Sequence, residues 1–253
     1  MQQQRRDRIL QILEAEQYVT VKYLTHLLDC STATVNRDLN DMEQLGLLKR
    51  VYGGAEAIEH RLPPLQIRQF YMQKEKQQNA KAAAALIQNG ETVFLDGSTT
   101  VQHIVPFLAD KKDLTVITNS LFLSAELAKY KMEVISLGGA LFERPYVLDS
   151  SLTVENAMKF RPDKMFFSLG GVTLQGEIQR DHPHLYTTLL RHSRESYLLT
   201  DHAKLTESFP LLLCDFSALT GVIADFEFPQ ETKTRFPNTR FICTGTDSNT
   251  AEK

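Results

Sequence analysis

The residues from 96 to 100, Asp96-Gly97-Ser98-Thr99-Thr100, have types and spacing that could bind an anion. They follow the apolar run 93–95 and would open a helix. Free N–H groups and the helix dipole favour phosphate at such a start, and three hydroxyls add donors. Plain N-capping explains the hydroxyls equally well on local grounds. Small and polar residues recur after later apolar runs, at Gly138-Gly139 and at Ser168 with Gly170-Gly171. Glycine lets a backbone approach a ligand. A structural turn accounts for any one pair, but recurrence on one rim favours a pocket. A second group lies near the N-terminus: Thr32, Thr34, Asn36 and Arg37, followed by Lys49, Arg50 and Tyr52. The first four are hydrogen-bonding side chains of the kinds that reach base edges and phosphates in a major groove. The last three would grip the adjacent backbone or minor groove.

The elements that must position these residues differ between the two ends of the chain. Up to about Ile58 the pattern is helical, with apolar faces at Ile9/Ile12/Leu13, Val21/Leu24/Leu28 and Val35/Leu39/Met42. Thr20 and Ser31 stand where N-caps belong, and Gly46 where a helix C′ residue belongs. The tight turn Asp29-Cys30-Ser31 between two helices fits a helix-turn-helix, and the run 47–58 with Gly53-Gly54 fits a small hairpin wing. On the third helix Ala33, Arg37, Asn40 and Gln44 then face outward. A three-helix packing module with a merely solvated face is an equally good reading of the helix spacing alone. Pro63 and Pro64 mark a linker, and residues 72–88 favour helix.

From Glu91 onward, seven short apolar runs alternate with helical patterns: TVFL, LTVIT, MEVIS, KMFF, ESYLLT, GVIA and RFIC. Continuously apolar strands are buried on both faces, as in a parallel α/β sheet, where ligands bind beyond the carboxyl ends of the strands. The predicted organisation is an α+β winged helix-turn-helix domain at 1–60, a linker at 61–72, an α/β mostly parallel-sheet domain at 73–246 and a polar tail at 247–253.

Composition narrows the function classes. Hydrophobic residues make up 42% and charged residues 23%, which is ordinary globular usage. The net charge of −3 argues against a sequence-blind nucleic-acid binder but not against a small, locally aimed DNA reader. No apolar run is long enough to span a bilayer, the charged N-terminus is not a secretory signal, and Cys30, Cys214 and Cys243 lack zinc spacing. A cytoplasmic protein is expected. Asp181, His182, His184, His192 and His202 invite a metal reading. Pro183 makes the segment a loop, however, and solvated or pocket-lining histidines are favoured, so no metal or cofactor is expected.

The N-terminal run resembles the winged helix-turn-helix of the DeoR family of bacterial transcriptional regulators. The resemblance rests on Ser31, Thr34, Val35, Arg37, Asp38, Leu39, Gly46, Leu48, Arg50, Tyr52, Gly53, Gly54 and Ala55. Asn36 departs from it, standing where the family usually has the first of two basic residues. Asn prefers adenine where Arg prefers guanine.

The resemblance continues more weakly to the C-terminus. It implies a sensor domain similar in fold to phosphosugar isomerases such as ribose-5-phosphate isomerase, responding to phosphorylated sugars. Asp96–Thr100, Thr118-Asn119-Ser120, Asp201 and Lys204 match family motifs and are implied effector contacts, with Lys204 a phosphate counter-charge or, in the isomerase comparison, a catalytic residue. Three segments depart: Ser151-Leu152-Thr153 lacks a glycine, Leu185–Leu189 lacks a carboxylate and a lysine, and Ala224-Asp225 replaces Thr-Asp. Ala203 also replaces a serine. These leave the ligand class open.

The expectation is therefore a sequence-specific DNA-binding transcriptional regulator, not an enzyme. It would repress carbohydrate genes under a phosphorylated sugar or related effector. One recognition helix reads few base pairs, so a homodimer or homotetramer on double-stranded operator DNA is expected. The DNA-binding set is Thr20, Ser31, Thr32, Thr34, Asn36, Arg37, Lys49, Arg50 and Tyr52. The alternatives are a sugar-phosphate isomerase fused to a DNA-binding module, and a purely structural interaction protein.

Overall fold

The computed structural model describes residues 2–16, 18–44, 47–57, 71–130, 132–143, 147–180, 184–205 and 211–245. The chain divides into two compact units, residues 1–71 and 72–253. Gly46, the linker prolines, Asp181, His182 and the tail lie outside the described residues.

The first unit runs α1 (Gln2–Glu16), β1 (Tyr18–Thr20), α2 (Val21–Leu27), α3 (Thr32–Gln44), β2 (Leu48–Val51) and β3 (Gly54–Ala57). Thr20 is extended and its Oγ1 accepts from the Tyr23 amide at 3.1 Å, which starts α2. Asp29 takes a left-handed φ of 46°, reversing the chain, and Ser31 Oγ accepts from the Thr34 amide at 3.2 Å to start α3. Aspartate tolerates that backbone region better than most residues. Ile9, Leu13, Leu24, Val35, Leu39, Met42 and Leu48 are buried together, as the helical spacing predicts.

The wing is a three-stranded sheet in the order β1-β3-β2 rather than a lone hairpin. β1 has three residues, too few to display a period of two, so only its pairing reveals it. Gly53 turns the wing at φ 75°, and a Cβ on Gly54 would lie 2.1 Å from the Val19 carbonyl oxygen. No side chain fits there.

The second unit opens with α4 (Gln73–Leu86). A seven-stranded sheet then follows the seven apolar runs: β4 (Thr92–Leu95), β5 (Thr115–Thr118), β6 (Glu133–Ser136), β9 (Lys164–Phe167), β12 (Glu195–Thr200), β14 (Gly221–Ala224) and β15 (Arg240–Cys243). All its pairs are parallel, in the order β15-β14-β12-β9-β4-β5-β6.

Alternate residues of one strand enter different cores. Phe94, Met165, Phe167 and Leu198 pack on one face with α7 (Ser151–Ala157) and α8 (His184–His192). Val93, Leu95, Phe166 and Leu199 pack on the other with α4, α5 (Thr99–Gln102) and α6 (Leu121–Leu127). That double burial is why the strands read as unbroken apolar runs.

Two smaller pieces were not legible in the runs. One is the ribbon β7 (Leu141–Glu143) with β8 (Val147–Leu148). The other is an antiparallel sheet of β10 (Gly171–Val172), β11 (Glu177–Arg180) and β13 (Leu211–Asp215).

The chain moves outward from β4 to β5 and β6, then returns to the opposite side of β4 with β9. The strand order therefore reverses between β4 and β9, and at such a switch point the loops beyond the strands leave a crevice.

Candidate functional site

In the first unit, α3 exposes Thr32, Ala33, Arg37 and Asn40 and buries Val35, Asp38, Leu39 and Met42. Asp38, only 1% exposed, accepts from Arg5 Nε at 2.5 Å and Arg6 Nε at 3.4 Å, and Arg6 also pairs with Asp41. The Asp38 hydrogen bond raises the Arg5 guanidinium above its ordinary value, against the opposing effect of burial. Two of the N-terminal arginines thus tie α1 to α3.

Asn36 is engaged within the unit. Its Nδ2 donates to the Thr32 carbonyl at 3.0 Å, and its Oδ1 accepts from Arg50 Nη2 at 2.9 Å. The Arg50 amide donates to Glu43 Oε1 at 2.7 Å, so wing and recognition helix are joined at residues expected to meet DNA separately. Thr20 and Ser31 serve as caps, and Thr34 shares a hydroxyl contact of 2.8 Å with Ser31. Lys49 is exposed and 3.9 Å from Glu56, and Tyr52 is fully exposed at the wing turn.

In the second unit, the residues after the strands sort into a scaffold and a polar cluster. Asp96 is completely buried. Its Oδ1 accepts from the Ser98 amide at 3.1 Å and hydroxyl at 2.5 Å, and its Oδ2 accepts from the Ser168 amide and Tyr186 hydroxyl, both at 3.1 Å. It therefore bolts the ends of β4 and β9 to α8. Gly97 donates to Asn119 Oδ1 at 3.0 Å, and a Cβ on it would lie 2.9 Å from Val147. Asn119 Nδ2 donates to the Leu148 carbonyl at 3.0 Å, Thr118 Oγ1 accepts from the Ser120 amide at 3.0 Å, and Ser120 caps α6. Ser98 caps α5 in the same way. Gly138 and Gly139 have positive φ, and Thr153 Oγ1 donates to the Gly138 carbonyl at 2.8 Å. Gly170 is half-buried, and Gly171 pairs with Gln179 in β10.

The polar cluster gathers Thr99, Thr100, Ser168, Asp201 and Lys204 at the switch point. Lys204 Nζ donates to Ser168 Oγ at 2.5 Å and Thr100 Oγ1 at 3.2 Å, and it lies 3.4 Å from Asp201 Oδ2. The helix that opens there, α5, has only four residues, and Ser98 already caps it. Side-chain donors, not a macrodipole, characterise the cluster.

Three participants escaped sequence reasoning. Lys76 of α4 is 3% exposed and its Nζ donates to Thr99 Oγ1 at 3.1 Å. Asn79 is fully buried; its Nδ2 donates to the Thr200 carbonyl at 2.6 Å, and its Oδ1 accepts from Thr244 at 2.5 Å. Tyr186 holds Asp96. A signal for Lys76 existed: the stripe Ala80, Ala83, Ala84 and Ile87, extended back one turn, passes through it.

Among the histidines, His202 Nδ1 is 2.5 Å from the buried Asp225 Oδ2, and His192 Nδ1 is 2.9 Å from Arg161 Nη1. No group of metal-binding side chains occurs among the described residues.

Residues 5–61 match the DeoR-like helix-turn-helix domain, and residues 72–226 match the DeoR C terminal sensor domain. The chain belongs to the DeoR family. It is 28% identical over 241 residues to the HTH-type transcriptional repressor CsqR of Escherichia coli (strain K12), covering 93% of this chain and 92% of the relative. A Staphylococcus epidermidis lactose phosphotransferase system repressor is 31% identical over 229 residues, covering 87% of this chain and 91% of the relative. The E. coli glycerol-3-phosphate regulon repressor is 27% identical over 229 residues, with 88% and 91% covered. Among solved structures, ribose 5 phosphate isomerase A from Neisseria gonorrhoeae aligns with a TM-score of 0.37 at 14% identity, covering 51% of this chain and 52% of the other.

As a DeoR-family protein the chain is a helix-turn-helix DNA-binding transcriptional regulator. Among the described residues no helix is long and apolar enough to cross a membrane. In α8, Leu185, Tyr186 and Leu189 turn into the core, and Tyr186 meets Asp96. Thr153, in the departing segment after β8, braces Gly138.

Proposed function

We propose that this DeoR-family regulator is a cytoplasmic repressor of carbohydrate genes. In this reading it leaves or reshapes its grip on operator DNA when a phosphorylated sugar or related effector binds beyond the ends of β4, β9 and β12. The convergence of Lys204 with Thr100, Ser168 and Asp201 carries this reading. An ammonium with two hydroxyls around it suits an oxygen-rich anion. Thr99 and Thr100 are the effector contacts of the Gly97–Thr100 loop. Asp96, Gly97, Thr118, Asn119, Ser120, Gly138 and Gly139 hold that loop and its neighbours in place.

On the DNA side, Arg37 and Thr32 read bases from the exposed face of α3, and Lys49 and Tyr52 hold backbone. Asn36 positions Arg50 at the groove edge. Two or more copies act together, because one short helix reads few base pairs. The relatives named for lactose and glycerol-3-phosphate regulons support a sugar-linked role.

Isomerase activity has less support. Proton abstraction needs a reachable base, and the Asp96 oxygens are engaged by four donors in a completely buried position.

A thermal-shift screen of the full chain against phosphorylated sugars tests the reading. A ligand at 100 times its dissociation constant should stabilise by about 2.7 kcal/mol. A panel in which neutral sugars stabilise and phosphorylated ones do not would overturn it.

A further inference from the structure

Both ends of the Asn36 side-chain amide are engaged inside the first unit. Nδ2 donates to the Thr32 carbonyl at 3.0 Å, and Oδ1 accepts from Arg50 Nη2 at 2.9 Å. An asparagine that reads adenine needs both ends at once, Oδ1 for the base amino group and Nδ2 for N7. Here the acceptor half is held by a guanidinium. Hydrogen bonds to a charged partner are about twice as strong as those between neutral groups, so exchanging Arg50 for a neutral base gains nothing.

We propose that Asn36 reads no base. It is a positioning residue that fixes Arg50 of the wing to the recognition helix. α3 and β2 then meet DNA as one surface, and discrimination between bases falls on Arg37 and Thr32. The proposal rests on α3 being the base-reading helix.

The tie is made twice on the same residue. The Arg50 amide donates to Glu43 Oε1 at 2.7 Å, and Asn36 and Glu43 stand about two turns apart on α3. Arg50 is thus held at its backbone and at its guanidinium by two points of one helix. Only an acceptor serves at position 36. A lysine or arginine there would repel Arg50, and an apolar residue would leave Nη2 without this partner.

What the ties leave over points to DNA. Arg50 Nη1 is buried and has no hydrogen-bond partner among the described residues. A buried guanidinium nitrogen without an acceptor costs stability, so the stability of the first unit does not explain the arrangement. The missing acceptor is what a backbone phosphate offers where helix and wing meet the duplex. Arg37, one residue on from Asn36, is exposed on α3 and remains for base edges.

The test uses the full chain and a randomised DNA duplex library. Each protein's selected consensus is compared, and affinities for the wild-type consensus and its single-base variants are measured at fixed salt. Asn36→Ala should select the wild-type consensus and bind every duplex about tenfold more weakly, the loss of one hydrogen bond to a charged group. In an Arg50→Ala background the same change should alter affinity by less than about twofold, because the group it positions is gone. Asn36→Asp keeps the acceptor and should keep the consensus, whereas an acidic base reader would turn the preference toward cytosine. Relaxed preference at one base pair in Asn36→Ala, a turn to cytosine in Asn36→Asp, or a loss that persists in Arg50→Ala would overturn the proposal. An Asn36→Ala protein that binds as the wild type does would overturn it too. Should Asn36→Ala not fold, the Asn36→Asp consensus decides. Arg37→Ala separates the two levels. If it relaxes the consensus and Asn36→Ala does so as well, the positioning role alone fails. If Arg37→Ala keeps the consensus, or the wild type selects none, α3 is not the base-reading helix and both fail.

Discussion

Replacing Tyr186 by phenylalanine removes one oxygen and tests how the rim is held. The Tyr186 hydroxyl donates to Asp96 Oδ2 at 3.1 Å, and the residue is 2% exposed. Its ring packs against Phe167 with centroids 5.8 Å apart and is retained in Tyr186→Phe. Among the described residues the perturbation is one hydrogen bond to a buried carboxylate. Such bonds contribute about 1.5–3 kcal/mol. Ser168 continues to donate to the same oxygen, which places the expected loss near the lower half of that range. Amide exchange in 93–96 and 164–168 reads the opening of the two strands that Asp96 joins, so a second unfolding unit does not confuse the measurement. Opening should become more favourable by about 1.5–2 kcal/mol, roughly a ten- to thirtyfold faster exchange. Unchanged exchange, or a loss under about 0.5 kcal/mol, would show that Asp96 is not the hub of the switch point.

Other outcomes follow from the same geometry. Arg37→Ala should weaken specific operator binding by roughly 1–3 kcal/mol and leave the melting temperature unchanged, since Arg37 is exposed on α3. Lys49→Ala should weaken all DNA sequences alike and lower the slope of log affinity against log salt by about one, read from anisotropy titrations. Asp38→Ala should destabilise the first unit by about 1.5–3 kcal/mol by removing the acceptor of Arg5 and one of the two acceptors of Arg6, which keeps Asp41, visible as faster exchange in α1 and α3. Burial, with Asp215 adding to it, pushes the Cys214 thiol from 9.0 up to about 12. Its alkylation at pH 8 should be slowed ~10³-fold relative to the denatured chain. Because the folded value is raised, the stabilising contribution is complete below pH 9 and is lost as pH rises toward 12.

Much of this was legible from residues alone, for identifiable reasons. The seven parallel strands showed as apolar runs because both of their faces are buried, and burial leaves no polar alternation to confuse them. The helix-turn-helix showed because Thr20, Asp29 and Ser31 perform local chain reversal and capping, which depend on neighbours in sequence. What was missed depends on partners far along the chain. β1 is identified only by pairing with β3. Lys76 reads as a surface charge in a Lys- and Gln-rich helix until Thr99 appears beside it. Asn36 reads as a base contact until Arg50, fourteen residues on, takes its oxygen. Asp96 reads as a ligand contact from its place in the Asp96–Thr100 loop until Ser98, Ser168 and Tyr186 appear on its oxygens.

The central claim is that an acidic effector bound at Lys204 controls DNA binding. Operator affinity of the full-length protein, measured at fixed salt with and without the best phosphorylated sugar from the screen, tests it most directly when repeated on Lys204→Ala. The account predicts that the effector changes wild-type affinity, and that Lys204→Ala binds operator as well as wild type but no longer responds. A Lys204→Ala protein that responds at the same effector concentration as wild type would contradict it.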